Sequence, residues 1–227
     1  MGLGLGLSEL RITLRNEDIK EPRQLYKLRG RDRFHYTHTN SRTKMRFLIA
    51  TCLLAAVCHG QYVKPGPCPE FTTKLDFEIP PYMGKWYEYA RFTTPDQTGQ
   101  TCNYAEYADN GNGTVAVHNA GLEADGTYSE IYGWVEPSDV GGALLLHLNG
   151  VPVVGDYNVL DTDYEGYASV YSCQALLGLG HVEQAWILAR TPALEQNKID
   201  AAAAAFTNFG IDVNQFMATP QENCVFP

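Results

Sequence analysis

Apolar residues fall into one unbroken run early in the chain and, from residue 84 onward, into short runs separated by turn residues. The first short run is GKWYEYARF, residues 84 to 92, an aromatic-rich strand that opens on a glycine. A conformationally free residue beside a large ring suits a tight start against a packed floor. Further strand signals follow over residues 102–107, 114–118, 127–135, 143–148, 157–161, 167–173 and 182–190. Between them stand Asp109-Asn110-Gly111-Asn112-Gly113, Ala124-Asp125-Gly126, Asn149-Gly150, Tyr164-Glu165-Gly166 and Leu177-Gly178-Leu179-Gly180. Asn149-Gly150 is a pair that favours a type I′ hairpin turn. Eight strands at hairpin spacing predict an antiparallel meander that closes into a barrel or folds into a sandwich. One helix is predicted after them. Pro192 suits its first turn, Glu195 and Asp200 its beginning, residues 201–206 continue it and Gly210 ends it. A short strand over residues 213–217 and a tail to Cys224 complete the chain. Residues 61–83, rich in proline, are expected to be extended.

The early run, Phe47 to Val57, follows Met45-Arg46 and precedes Cys58, His59 and Gly60. A positive residue, eleven mostly apolar residues and a small-residue exit describe a signal peptide over residues 45–60. The run is too short to cross a bilayer comfortably. Residues 1–44 hold ten Lys and Arg against five Asp and Glu, with no sustained apolar period. They read as a disordered upstream extension, with Met45 as the natural initiator. Residues 61–227 then form a single secreted domain.

That split changes the charge picture. Residues 61–227 carry six basic against 21 acidic residues, a net of −15. Such a surface repels phosphate backbones and anionic lipid, which disfavours nucleic acid and peripheral membrane binding. Four cysteines fall in this part: Cys68, Cys102, Cys173 and Cys224. In a secreted chain they imply two disulfides, with three connectivities open. Their long spacing, without a C-x-x-C pair, argues against a zinc site.

The motifs resemble a known family. Gly84-Lys85-Trp86, Thr162-Asp163-Tyr164 and Arg190 look like the three conserved stretches of the lipocalins, and the single helix after strand eight agrees. TDYEGYASVYSC at 162–173, AWILARTP at 185–192 and ADGTYSEI at 124–131 resemble its apolipoprotein D branch. The bilin-binding and carotenoid-binding arthropod lipocalins are similar over the same stretches. This resemblance implies an all-β fold, an eight-stranded antiparallel up-and-down barrel with one C-terminal helix packed outside. It implies that Trp86 plugs the closed end under the Arg190 guanidinium. It also implies the pairings Cys68 with Cys173 and Cys102 with Cys224.

For chemistry, His118, His147 and His181 sit in no triad, H-E-x-x-H or G-x-S-x-G arrangement, so no catalytic residue is assigned. Asp161, Asp163 and Glu165 lie beside a turn with no calcium-loop glycine and read as a solvated, cap-forming face. No metal or other cofactor is expected. The 14 tyrosines offer apolar faces with a hydroxyl for orienting a ligand. By the resemblance, Tyr107 and Asn119 match polar cavity positions of the apolipoprotein D branch. One departure stands out: where that branch carries a cavity-wall tryptophan near the end of the fifth strand, this chain reads Leu148-Asn149-Gly150. Asn112-Gly113-Thr114 is an N-glycosylation acceptor on a hairpin tip. The expected function is a secreted carrier, monomer or homodimer, for a small hydrophobic ligand such as a fatty acid, sterol or retinoid. A carotenoid or bilin pigment carrier is the alternative, and a lipocalin-scaffold isomerase a further one.

Overall fold

The computed structural model describes residues 63–94 and 97–226. The expectations for residues 1–44 and for the signal peptide at 45–60 lie outside them. A two-residue strand, β1 (Val63–Lys64), and a one-turn helix, α1 (Ile79–Tyr82), precede the main sheet. The sheet comprises β2 (Gly84–Phe92), β3 (Thr101–Asp109), β4 (Val115–Leu122), β5 (Tyr128–Pro137), β6 (Ala143–Leu148), β7 (Gly155–Thr162), β8 (Tyr167–Leu176) and β9 (Gly180–Ala189). Each strand pairs antiparallel with the next, and β9 pairs back onto β2, so the eight strands close a barrel. Helix α2 (Gln196–Thr207) lies outside it, and β10 (Phe216–Ala218) pairs with the second half of β2.

Strand alternation divides the packing in two. Trp86, Ala105, Tyr107, Val117, Val135, Leu144, Tyr157, Val159, Val170 and Leu188 form one core inside the barrel. On the outer wall Leu160, Tyr171, Ala185 and Ile187 pack with Ala202, Ala205 and Phe206 of α2. Alanines let the helix approach closely, and the Ser169 hydroxyl donates to the Ala202 carbonyl at 3.0 Å. Two disulfides tie end segments to the wall: Cys68 to Cys173 and Cys102 to Cys224.

Four local expectations need correction. Asn149-Gly150 does not make a type I′ hairpin: Asn149 has no positive φ, Gly150 with φ of 81° closes a turn in which the Val151 N–H donates to the Leu148 carbonyl at 3.1 Å, and β7 resumes only at Gly155. The helix starts at Gln196, not around Pro192, because Thr191 turns the chain first by donating to the Ala193 carbonyl. Its end does use Gly210, whose positive φ of 72° brings the Ile211 N–H back to the Phe206 carbonyl. Residues 213–215 form a 3-10 turn because the Asp212 carboxylate accepts the Asn214 N–H, which delays β10 to Phe216. Residues 61–83 are not extended throughout: Pro80 and Pro81, pre-set for a helix start, open α1.

Candidate functional site

The closed end of the barrel is built around Trp86, which is fully buried. Its indole N–H donates to the Tyr82 carbonyl at 2.8 Å, so α1 is pinned beneath the strand. The Arg190 guanidinium lies 3.7 Å from the indole ring centre. The same guanidinium donates to the carbonyls of Tyr164 at 2.9 Å, Lys85 at 3.0 Å and Pro81 at 2.8 Å. Three chain segments are thereby gathered by one cation. Gly84 has φ of 90°, and a Cβ there would meet the guanidinium at 3.6 Å in a conformation that side chains avoid.

Thr162, Asp163 and Tyr164 form the turn that presents one of those carbonyls. The Thr162 hydroxyl donates to the Tyr167 carbonyl at 2.6 Å and accepts the Tyr164 N–H. The Asp163 carboxylate accepts the N–H groups of Gly166 and Tyr167 and pairs with Lys198 of α2. Burial pushes its pKa up, but those donors together hold it below the ordinary carboxylate value. Tyr164 takes φ of 67°, and its hydroxyl accepts the Glu78 N–H at 2.9 Å, which straps the segment before α1 across this end.

Above the floor the barrel narrows to an apolar pocket of about 10 Å³, lined by Phe77, Ile79, Met83, Val115, Val135 and Leu144 together with three tyrosines. Tyr107 is one of them. Its hydroxyl meets that of Tyr157 at 2.8 Å, and the Tyr157 hydroxyl meets that of Tyr82 at 2.8 Å. Burial raises all three, Tyr107 to about 12 and the others well above the ordinary phenol value, so they stay protonated at neutral pH. Asn119 pairs with Ala105, whose side chain belongs to the inner core, so it faces inward. Tyr107 pairs with Val117, two residues below Asn119, so the amide sits about 7 Å nearer the open end.

Higher still is a feature that sequence reasoning missed. Glu88 and Arg91, both buried, form an ion pair inside the barrel. Simple alternation places residues three apart on opposite faces, but a bulge between Glu88 and Ala90 resets the parity. Glu88 then pairs with Leu188 and Arg91 with Trp186, both inner positions. Arg91 also donates to Asn103 and Thr219 and to the carbonyls of Gln97 and Gln100. Thr219 and Gln221 belong to the tail after β10, and Gln221 bridges the carbonyls of Glu88 and Asn103. The network therefore seals the seam where β2 parts from β3.

Asn112 is exposed in the β3–β4 turn, its carbonyl oxygen accepting the Thr114 N–H and hydroxyl. Leu148 ends β6 beside Gly133, where a Cβ would lie 2.0 Å from the His147 carbonyl oxygen. At the open end Val153, Leu177 and Leu179 are exposed. Among the described residues no cluster of three His, Cys, Asp or Glu is placed to hold a metal, and no helix is long and apolar enough to cross a membrane.

Residues 77–221 match the family model of the lipocalin-like domain. Apolipoprotein D of Mus musculus is 34% identical over 184 residues, covering 80% of this chain and 97% of its own. The Lazarillo protein of Schistocerca americana is 30% identical over 177 residues, 76% of this chain and 82% of its own. Among solved structures, lobster apocrustacyanin A1 shares the fold, with a TM-score of 0.63 at 24% identity over 73% of this chain and 94% of that one.

Proposed function

The chain belongs to the lipocalin family, and from that premise we propose that it is a secreted carrier that buries a small hydrophobic molecule inside its barrel. The observation that carries this reading is a closed eight-stranded barrel whose inner wall is apolar and which stands on a floor closed by Trp86 and Arg190. A closed eight-stranded barrel leaves room for one small ligand, and apolar burial supplies affinity at about 25 cal/mol per Å². Tyr107 and Asn119, at two depths of the inner wall, would orient the cargo. The two disulfides support an extracellular setting, since such bonds persist in oxidising compartments. Asn112, exposed on its turn, is the proposed glycan acceptor.

Native mass spectrometry of protein purified from its source tests the reading, with identification of whatever extracts from it. The expected result is a small apolar molecule in one-to-one stoichiometry, and a visible absorption band would specify that cargo as a carotenoid or bilin. A barrel that is empty on isolation and gives no tryptophan quenching on titration with fatty acids, retinoids, bilins and carotenoids would refute it.

A further inference from the structure

The floor of the pocket contains a proton that the protein does not use. Tyr82, Tyr157 and Tyr107 form a row of three hydroxyls with Tyr157 at the centre, joined by two contacts of 2.8 Å each. Each phenol brings one proton, and two contacts consume two of them. Neither end hydroxyl has another hydrogen-bond partner among the described residues. Whichever way the row is oriented, one O–H is left over, and all three rings line the same apolar pocket.

The charges of the inner wall bear on what can answer that donor. Among the described residues, Arg91 is the basic side chain on the inner face of the barrel strands, and its guanidinium is occupied by Glu88, Asn103, Thr219 and two backbone carbonyls. The remaining basic groups are engaged elsewhere: Lys64 with Glu183, Lys74 with Asp76 and Asp161, Lys85 over Tyr104, Arg190 beneath Trp86, and Lys198 with Asp163. A carboxylate driven to the floor would meet one neutral phenol and no free cationic donor, since Arg190, whose charge is felt at Tyr82, is spent on three carbonyls, and an unpaired buried charge is far more costly than an unpaired neutral group. A ketone, aldehyde or ether oxygen carries no such cost and accepts the spare proton.

Resting on the carrier reading above, we propose that the Tyr82–Tyr157–Tyr107 row is a subsite for a neutral oxygen acceptor. Ligands ending in a carbonyl or ether enter oxygen first. Those ending in a carboxylate enter tail first and leave the charged group at the mouth.

The test uses three probes of equal chain length, 2-dodecanone, dodecane and dodecanoate, followed by tryptophan quenching on the intact protein and on the Tyr82→Phe/Tyr107→Phe/Tyr157→Phe variant. Removing the row is expected to lower the ketone-to-hydrocarbon affinity ratio about tenfold, the worth of one hydrogen bond of about 1.4 kcal/mol. Two measurements on the unaltered protein stand even where the variant fails to fold. The carbonyl stretch of bound 2-dodecanone is expected at the lowered frequency of a hydrogen-bonded ketone. The carbon-13 carboxyl of bound dodecanoate is expected to titrate as a solvent-exposed acid. An unchanged affinity ratio, a hydrocarbon-like carbonyl frequency or a strongly raised carboxyl pKa would overturn the subsite while leaving the carrier intact. Failure of the unaltered protein to bind any of the three probes would count against the carrier reading itself.

Discussion

Replacing Arg190 by alanine removes three hydrogen bonds to the carbonyls of Tyr164, Lys85 and Pro81, together with the contact 3.7 Å from the Trp86 ring centre. A charged donor contributes about 1.5 to 3 kcal/mol per bond, but these carbonyls lie at a half-exposed end where water takes over part of the role, so about 1 kcal/mol each is the appropriate scale. The cation–π contact adds about 0.5 to 2 kcal/mol. The expected loss is therefore about 4 kcal/mol, a fall in Tm of about 8 to 16 °C for a domain of this size. Urea unfolding followed by circular dichroism at neutral pH measures it. Arg190→Met keeps an apolar stem over the indole and separates packing from donation. Arg190→Lys should recover little, because a single ammonium cannot span three carbonyls held in a fork. A loss below about 1 kcal/mol for the alanine variant, or full recovery by lysine, would refute the view that one planar cation gathers these three segments.

The tyrosine row makes a ranking. Tyr157→Phe orphans both neighbouring hydroxyls and is expected to cost about 2 to 4 kcal/mol, whereas Tyr107→Phe leaves the Tyr82–Tyr157 bond intact and costs about 1 kcal/mol; equal thermal melts would contradict the order. Asp163 has a folded pKa below its unfolded value, so its contribution is present above about pH 4 and lost as pH falls through the folded pKa. Asp163→Asn keeps an acceptor for Gly166 and Tyr167 but drops the Lys198 pair, and should flatten the acid limb of stability measured between about pH 5 and 2. Cys102→Ser/Cys224→Ser opens a loop spanning 122 residues and is expected to cost up to about 4.7 kcal/mol. Hydrogen exchange should then speed up selectively across β10 and the tail at Gln221, and unchanged protection there would show that the Arg91 network holds the seam alone.

Much of the barrel was legible because its signals are local. Turn residues such as Ala124-Asp125-Gly126 and runs such as Ala143–Leu148 act within a few positions, and eight such units in succession leave few topologies. Helix α2 was legible for the same reason, though its first turn was not, since a single hydroxyl at Thr191 decides where the chain bends. Helix α1 was missed because one turn of Ile79–Tyr82 has no period to detect, although its paired prolines were a usable signal.

The candidate site was legible only in part. The motif residues Gly84, Trp86, Thr162 to Tyr164 and Arg190 could be named from the chain, but their joint task could not. Arg190 reaches Lys85 and Pro81 across 105 and 109 positions, and no local pattern encodes such a meeting. Tyr107 could be singled out alone, whereas its partner Tyr157 lies 50 residues away and Tyr82 a further 75 from that partner in the opposite direction.

Sequence by itself determined the number of barrel strands and their order, because backbone preference and side-chain pattern act over short distances, and its family motifs named the residues that plug one end. Tertiary structure alone decided what faces the ligand. A bulge of one residue turned Arg91 inward, and barrel closure brought three distant phenols into one row with a proton to spare. The physical reason is that the face a strand residue presents depends on every register shift before it, and a buried polar group finds its partners only when the whole sheet has closed.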